Sequence, residues 1–339
     1  MSQTGPGWLK SLRPDPYVLA LLATVVLASF LPVRGEAAHG LSLSAKGVIA
    51  LLFFLHGAKL SREAVIAGVT HWRLHLTVLS ITFVAFPLLG LAAGLLPESL
   101  LPKSLAMGVL FLACLPSTVQ SSIAFTSIAR GNIAAAVCSA SASNLLGMAL
   151  TPLLVGLLLH AQGDALSVSA IQSIALQLLA PFIAGQMARR WVAPWIERRK
   201  KVVGIVDRFS ILLIVYSAFS GAVVAGVWKQ VSARELAVVV LLSAVMLAIV
   251  LAGSRRLART LGFSTEDEIT IVFCGSKKSL VTGAPMAAIL FPAATAGLMI
   301  IPLMVFHQMQ MMACAVIAQR YGARPDPIAL DQGGAPPAR

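Results

Sequence analysis

Apolar runs of roughly 20 residues recur from one end of this 339-residue chain to the other. Each is long enough to cross a hydrocarbon core of about 30 Å, and a soluble domain has nowhere to put so many of them. Charge usage agrees: 12% of the residues are charged, where a soluble domain carries about a quarter. The net charge of +13 does not form a patch. Its Lys and Arg residues sit in short loops between apolar runs, so they report topology and exclude a nucleic-acid partner.

The hydropathy pattern predicts an all-α integral membrane protein with ten transmembrane helices, over 15–33, 45–58, 74–96, 104–128, 132–159, 168–188, 208–228, 235–254, 269–291 and 295–318. The run after Lys10 and Arg13 reads as the first of these spans rather than as a cleaved signal, because it completes the set. With the N-terminus inside, the outer side receives only Arg34, Lys46, Lys103, Lys229 and Arg234 of the 26 basic residues outside and within the spans. The positive-inside rule therefore places both termini in the cytoplasm, as expected of a bacterial inner-membrane protein. The basic loop RRWVAPWIERRKK carries Trp191 and Trp195 as interfacial anchors beside membrane lipid. A short disordered cytoplasmic tail is expected over 321–339.

Ten spans divide into 1–160 and 161–320, two five-helix repeats that must enter the membrane in opposite directions. The fourth span reads LACLPSTVQSSIAFTSIARGN and the ninth IVFCGSKKSLVTGAPM. Both are interrupted near the middle, and paired interruptions point to a midplane site. In the fourth, Pro116 frees a carbonyl, and Ser117, Thr118, Gln120, Ser121 and Ser122 follow. These are hard oxygen ligands for an alkali cation or partners for a solute; the alternative is a proline kink whose hydroxyls bond back to their own helix. In the ninth, Gly275, Ser276, Lys277, Lys278 and Ser279 break the run.

Two lysines at mid-span cost roughly 2.5–3.5 kcal/mol each on insertion scales. Successive helical residues point about 100° apart, so both ammoniums enter one cavity only if the backbone is unwound. All 13 acidic residues fall in loops or within a turn of a span end. With no carboxylate at mid-membrane, a buried ammonium loses its proton or waits for an anion, which makes a small organic anion the expected partner. In the tenth span His307, Gln308 and Gln310 are candidate lining residues, or else interhelical tethers. Asn144 and the serines 139, 141 and 143 read as small polar packing residues. No catalytic motif is present, the four cysteines show no metal-like spacing, and no cofactor is expected.

At CLPSTVQSSIAFTSIARGN the chain is similar to the bile acid:sodium symporter family, and FCGSKKSLVTGAPM with PLMVFHQMQ resembles its divergent SBF-like branch. The resemblance implies crossing broken helices four and nine in a core bundle, with a panel that rocks against it. It also implies sodium ligands, which this chain matches only in part. Ser121 and Ser122 stand where the family has a Ser-Asn pair, Phe273 stands where it has Glu, and Lys277 lies near its Gln. The anionic sodium ligand is absent. A lysine ammonium in place of one bound cation is the expectation, with a residual sodium site at Ser121 and Ser122 as the alternative.

The chain thus reads as a secondary transporter moving a small organic anion by alternating access. The expected site comprises Ser117, Thr118, Gln120, Ser121, Ser122, Gly275, Ser276, Lys277, Lys278, Ser279, His307 and Gln308. A cation or proton exchanger with a titrating Lys, and a solute sensor without flux, are the alternatives.

Overall fold

The computed structural model describes residues 16–59, 71–161, 168–226 and 231–324. Lys10, Arg13, Arg62, Lys229 and Arg339, with 325–339 of the expected tail, lie outside the described residues. Among the described residues all regular structure is helical. The first half holds α1 (Pro16–Phe30), α2 (Glu36–Lys59), α3 (Trp72–Ala93), α4 (Lys103–Cys114), α5 (Val119–Ile128) and α6 (Ile133–Ala161). The second holds α7 (Val168–Arg198), α8 (Lys200–Val224), α9 (Ala233–Thr260), α10 (Thr265–Gly275), α11 (Leu280–Leu290) and α12 (Ala293–Gly322).

Six helices (α2, α3, α6, α8, α9 and α12) are each long and apolar enough to cross a membrane, and α4 with α5 makes a seventh candidate bent by 62°. Apolar surface points outward as well as inward. Helix α9 buries only 28% of its most hydropathic stretch, and Leu241, Val245 and Ile249 stand exposed along it. An all-round apolar helix with an uncovered face belongs in lipid, so this is an integral membrane protein.

Local chemistry sets the helix ends. Ser232 and Glu235 form a capping box at the start of α9. Ser264 caps α10, where Glu266, Asp267 and Glu268 complement the positive helix end. Inside α3 the residues Ile81–Ala85 widen into a π-turn, a local departure that recurs at functional sites.

The helices form two packed groups. α1, α2, α7 and α8 make a panel, and α3–α6 with α9–α12 make the core, against which α8 leans through α12 and α11. In the panel α2 and α7 touch backbone to backbone. A Cβ on Gly57 would lie 2.0 Å from Phe182 O, and one on Gly185 would lie 1.9 Å from Phe54 O. Only glycine permits so close an approach.

The basic loop expected after the sixth span is helical. α7 runs to Arg198 and α8 begins at Lys200, with Trp191 and Trp195 exposed on α7. This moves one acid inward. Asp207, expected at a span end, lies seven residues inside α8, is buried, and pairs with Lys59 of α2. The reason is that Lys200 and Lys201 continue the helix instead of ending it.

Candidate functional site

Two helix breaks meet at the centre of the core. At the first, α4 stops at Cys114, Leu115 turns extended, and α5 starts after Thr118. At the second, α10 stops at Gly275 and α11 starts after Ser279. Pro116 has no donor of its own, which makes the first break; Ser279, a good N-cap, closes the second by accepting from Thr282 N at 3.2 Å. The breaks bond to each other: Ser279 N donates to Pro116 O at 3.0 Å, and Thr118 Oγ1 donates to Lys278 O at 3.0 Å.

A broken helix leaves orphan carbonyls, and in lipid each needs a partner. From Ala113 to Ser117 each finds one. Thr151 Oγ1 donates to Cys114 O at 2.8 Å, and Asn144 Nδ2 donates to Ser117 O at 2.7 Å. Ala113 O and Leu115 O each accept from Lys278 Nζ at 2.7 Å. The third Nζ bond, 2.8 Å, goes to Thr82 O in the π-turn of α3, and the Phe86 ring lies 4.1 Å from the same ammonium. An ammonium has three donors, so this one is saturated. The peptide of Lys278 is held as well: its N–H donates to Gln310 Oε1, and its carbonyl accepts from Gln310 Nε2, both at 2.8 Å.

Lys277 has a different environment. It too is fully buried, but its Nζ has no hydrogen-bond partner. It lies 3.8 Å from the Phe125 ring and 5.9 Å from the Phe273 ring. The two side chains leave an unwound segment toward different partners, and neither lines the two cavities that flank the crossing.

A cavity of about 370 Å³ opens between panel and core. The core contributes the starts of both half-helices, Thr118, Gln120 and Ser121 at the head of α5 with Ser279 and Thr282 at the head of α11, together with His307 and Asn144. The panel contributes His56, Lys59, Asp207 and Arg208. A second hollow of about 390 Å³ shares Lys59, Gln120 and Asp207 with it and reaches Arg189, Glu197 and Lys200. Thr118 makes no side-chain cap on α5; its hydroxyl donates instead to Lys278 O across the crossing. The first-turn amides of α5 therefore meet the cavity with the positive end of the helix dipole and no side-chain cap.

The expected site residues divide accordingly. Thr118, Gln120, Ser121, Ser279 and His307 line the cavity. Ser117, Ser122, Ser276, Lys277 and Lys278 are buried behind it, with Ser122 Oγ donating to Phe273 O at 3.2 Å and Ser276 Oγ to Val272 O at 2.6 Å. Gly275 packs against Ile81. Gln308 Oε1 is buried without a partner, whereas Gln310 reaches the second break. Asn144, read from the sequence as packing, both ties down the first break and lines the cavity. His56 and Asp207 gave no sequence signal beyond their type. Among the described residues no three His, Cys, Asp or Glu side chains gather into a candidate metal cluster.

Known proteins resemble this chain along nearly its whole length. The model of the SBF-like CPA transporter family matches residues 15–323. An uncharacterized protein of Pseudomonas aeruginosa is 57% identical, covering 95% of this chain and 97% of its own. A protein of Escherichia coli K12 named "Putative symporter YfeH" is 53% identical, over 94% and 96%. "Sodium/bile acid cotransporter 7" of Danio rerio is 27% identical, over 92% and 94%.

Proposed function

This chain belongs to the SBF-like CPA transporter family, and from that premise we propose that it carries a small organic anion across a bacterial inner membrane by alternating access. One observation carries the reading: the N-termini of both broken half-helices, α5 and α11, open on a single cavity between two packed helix groups. Oriented amides at a helix start favour negative charge, and two such ends converge here. The cavity's charged side chains lean the same way, with Lys59 and Arg208 against Asp207.

The helix order supports ten spans in two inverted repeats. α7 packs on α2 as α1 packs on α8, and α4–α5 and α10–α11 break at corresponding places. The panel of α1, α2, α7 and α8 rocks against the core and exposes the cavity to alternate sides. The second hollow leads toward the basic end of α7, the cytoplasmic side by the positive-inside rule, where Trp191 and Trp195 meet lipid. The Danio rerio relative is named for sodium and bile acid, and a bile acid is one member of the organic-anion class that such a cavity would accept. Phe273 stands where the resemblance places a sodium-ligating carboxylate, so the anion is carried without a carboxylate-held sodium ion at that position.

The test is thermal stabilisation of the purified protein by a panel of organic anions in choline salts, followed by counterflow in proteoliposomes. Anything that binds the folded state raises its stability by mass action. Anion-specific stabilisation with flux is expected. Stabilisation by neutral or cationic solutes alone would refute the anion site, and binding without flux would make the protein a sensor.

A further inference from the structure

The three carbonyls around Lys278 Nζ have the character of a cation site. Ala113 O, Leu115 O and Thr82 O converge at 2.7, 2.7 and 2.8 Å on one positive centre. Two come from the C-terminal end of α4, the negative end of its dipole, and the third from the π-turn of α3. The Phe86 face at 4.1 Å adds a further cation-attracting surface. Rings of backbone carbonyls that replace a hydration shell are how proteins hold a bare monovalent cation away from water. We propose that this seat is a monovalent-cation site that the chain fills permanently with its own Lys278 ammonium, so that the anion is carried with no free cation bound there.

This deepens the anion-carrier reading and rests on it for its role in transport. Ser279 and Thr118, on either side of the crossing, line the anion cavity while Thr118 holds the carbonyl of Lys278. The tethered charge therefore stays one residue behind the anion's wall throughout the cycle. A carrier that needs a free cation at this place must load and release it each turn; here that step is absent.

The experiment uses the full-length protein and its stability, which requires no knowledge of the solute. Lys278→Ala removes three methylenes and the ammonium, the atoms of propylammonium. Wild type, Lys278→Ala and Lys277→Ala are expressed, purified and melted in choline, sodium, potassium or propylammonium chloride. We expect wild type to melt at one temperature in all four. Lys278→Ala should melt lower in choline and gain about 3–6 °C in propylammonium, with a smaller gain in potassium or sodium. Lys277→Ala, whose ammonium has no oxygen seat, should gain nothing. Sodium stabilising wild type over choline would overturn the proposal. So would a Lys278→Ala protein that no small cation stabilises, or that cannot be recovered in any of the four. Because the readout is stability without solute, these outcomes are separate from success or failure of the anion panel.

Discussion

The breaks at 115–118 and 276–279 sit at corresponding places in the two halves, yet they solve the same problem with opposite chemistry. The first is a proline break that produces acceptors: five carbonyls, from Ala113 to Ser117, each with a donor from another element. The second supplies donors and a charge, for Lys278 gives Nζ to the first break and its own peptide is clasped by Gln310. Each break is the other's solvent. The asymmetry continues into the helices that follow, since Ser279 caps α11 while Thr118 leaves α5 without a side-chain cap. A pair of identical breaks would leave like groups facing like groups, and neighbouring side chains such as Thr151, Asn144 and Gln310 would have to satisfy them all.

The sharpest way to break this comparison is at the two adjacent lysines. Lys278→Met leaves three buried carbonyls without Nζ, a loss of about 3–5 kcal/mol of the kind seen when one partner of a buried charge network is removed. Transport should fall with it. Lys277→Met replaces an ammonium that has only ring contacts with an apolar chain of similar length. Its stability should match wild type or exceed it by up to about 2 kcal/mol. Thermal melting of the two variants in one detergent decides the matter; equal losses would mean that Lys277 has an oxygen partner after all. Retained flux in Lys277→Met would also remove the exchanger reading in which this lysine titrates.

A second contrast lies in how tightly each break is packed. A Cβ on Gly147 of α6 would come within 2.6 Å of Pro116 Cβ and 2.8 Å of its Cγ. The proline ring cannot rotate aside. On Gly283 of α11 the same atom would meet Leu115 Cδ1 at 2.5 Å and Leu303 Cδ2 at 2.6 Å, the free ends of flexible chains. Gly147→Ala should therefore cost about 2 kcal/mol and Gly283→Ala less than about 1 kcal/mol, measured by melting. The reverse order would mean that the first break can shift and the second cannot.

Much of this contrast was legible in the sequence, because a break needs specific residues. Pro116 and the polar stretches after it, and the Gly-Ser-Lys-Lys-Ser segment, could hardly be anything else in apolar surroundings. Which way the lysines point was not legible, since a helical wheel does not apply where the helix is unwound. Gln308 and Gln310 differ by about 200° around α12, and only the packing of that helix selects Gln310. Asp207 was hidden for another reason. Hydropathy ends a span at a charged run, whereas the helix continued through Lys200 and Lys201 and carried the acid to the cavity wall. Asn144 looked like a packing residue because its target, Ser117 O, exists only once the first break has formed.

The smallest effect tests the helix starts themselves. Ser279→Ala removes a cap from α11 and should cost about 1 kcal/mol. Thr118→Ala removes no cap, and the Lys278 carbonyl it served still accepts from Gln310 Nε2 at 2.8 Å. Its cost should be only a few tenths of a kcal/mol, because no buried group is left unpaired. Anion stabilisation should separate the two variants further. The amides that Thr118 leaves uncapped are unchanged in Thr118→Ala, so its response to anions should match wild type, whereas fraying the start of α11 should weaken it in Ser279→Ala. If Thr118→Ala proved the more costly of the two, the threonine would be holding the second break in place, and the division between a break that accepts and a break that donates would fail at the residue where the two cross.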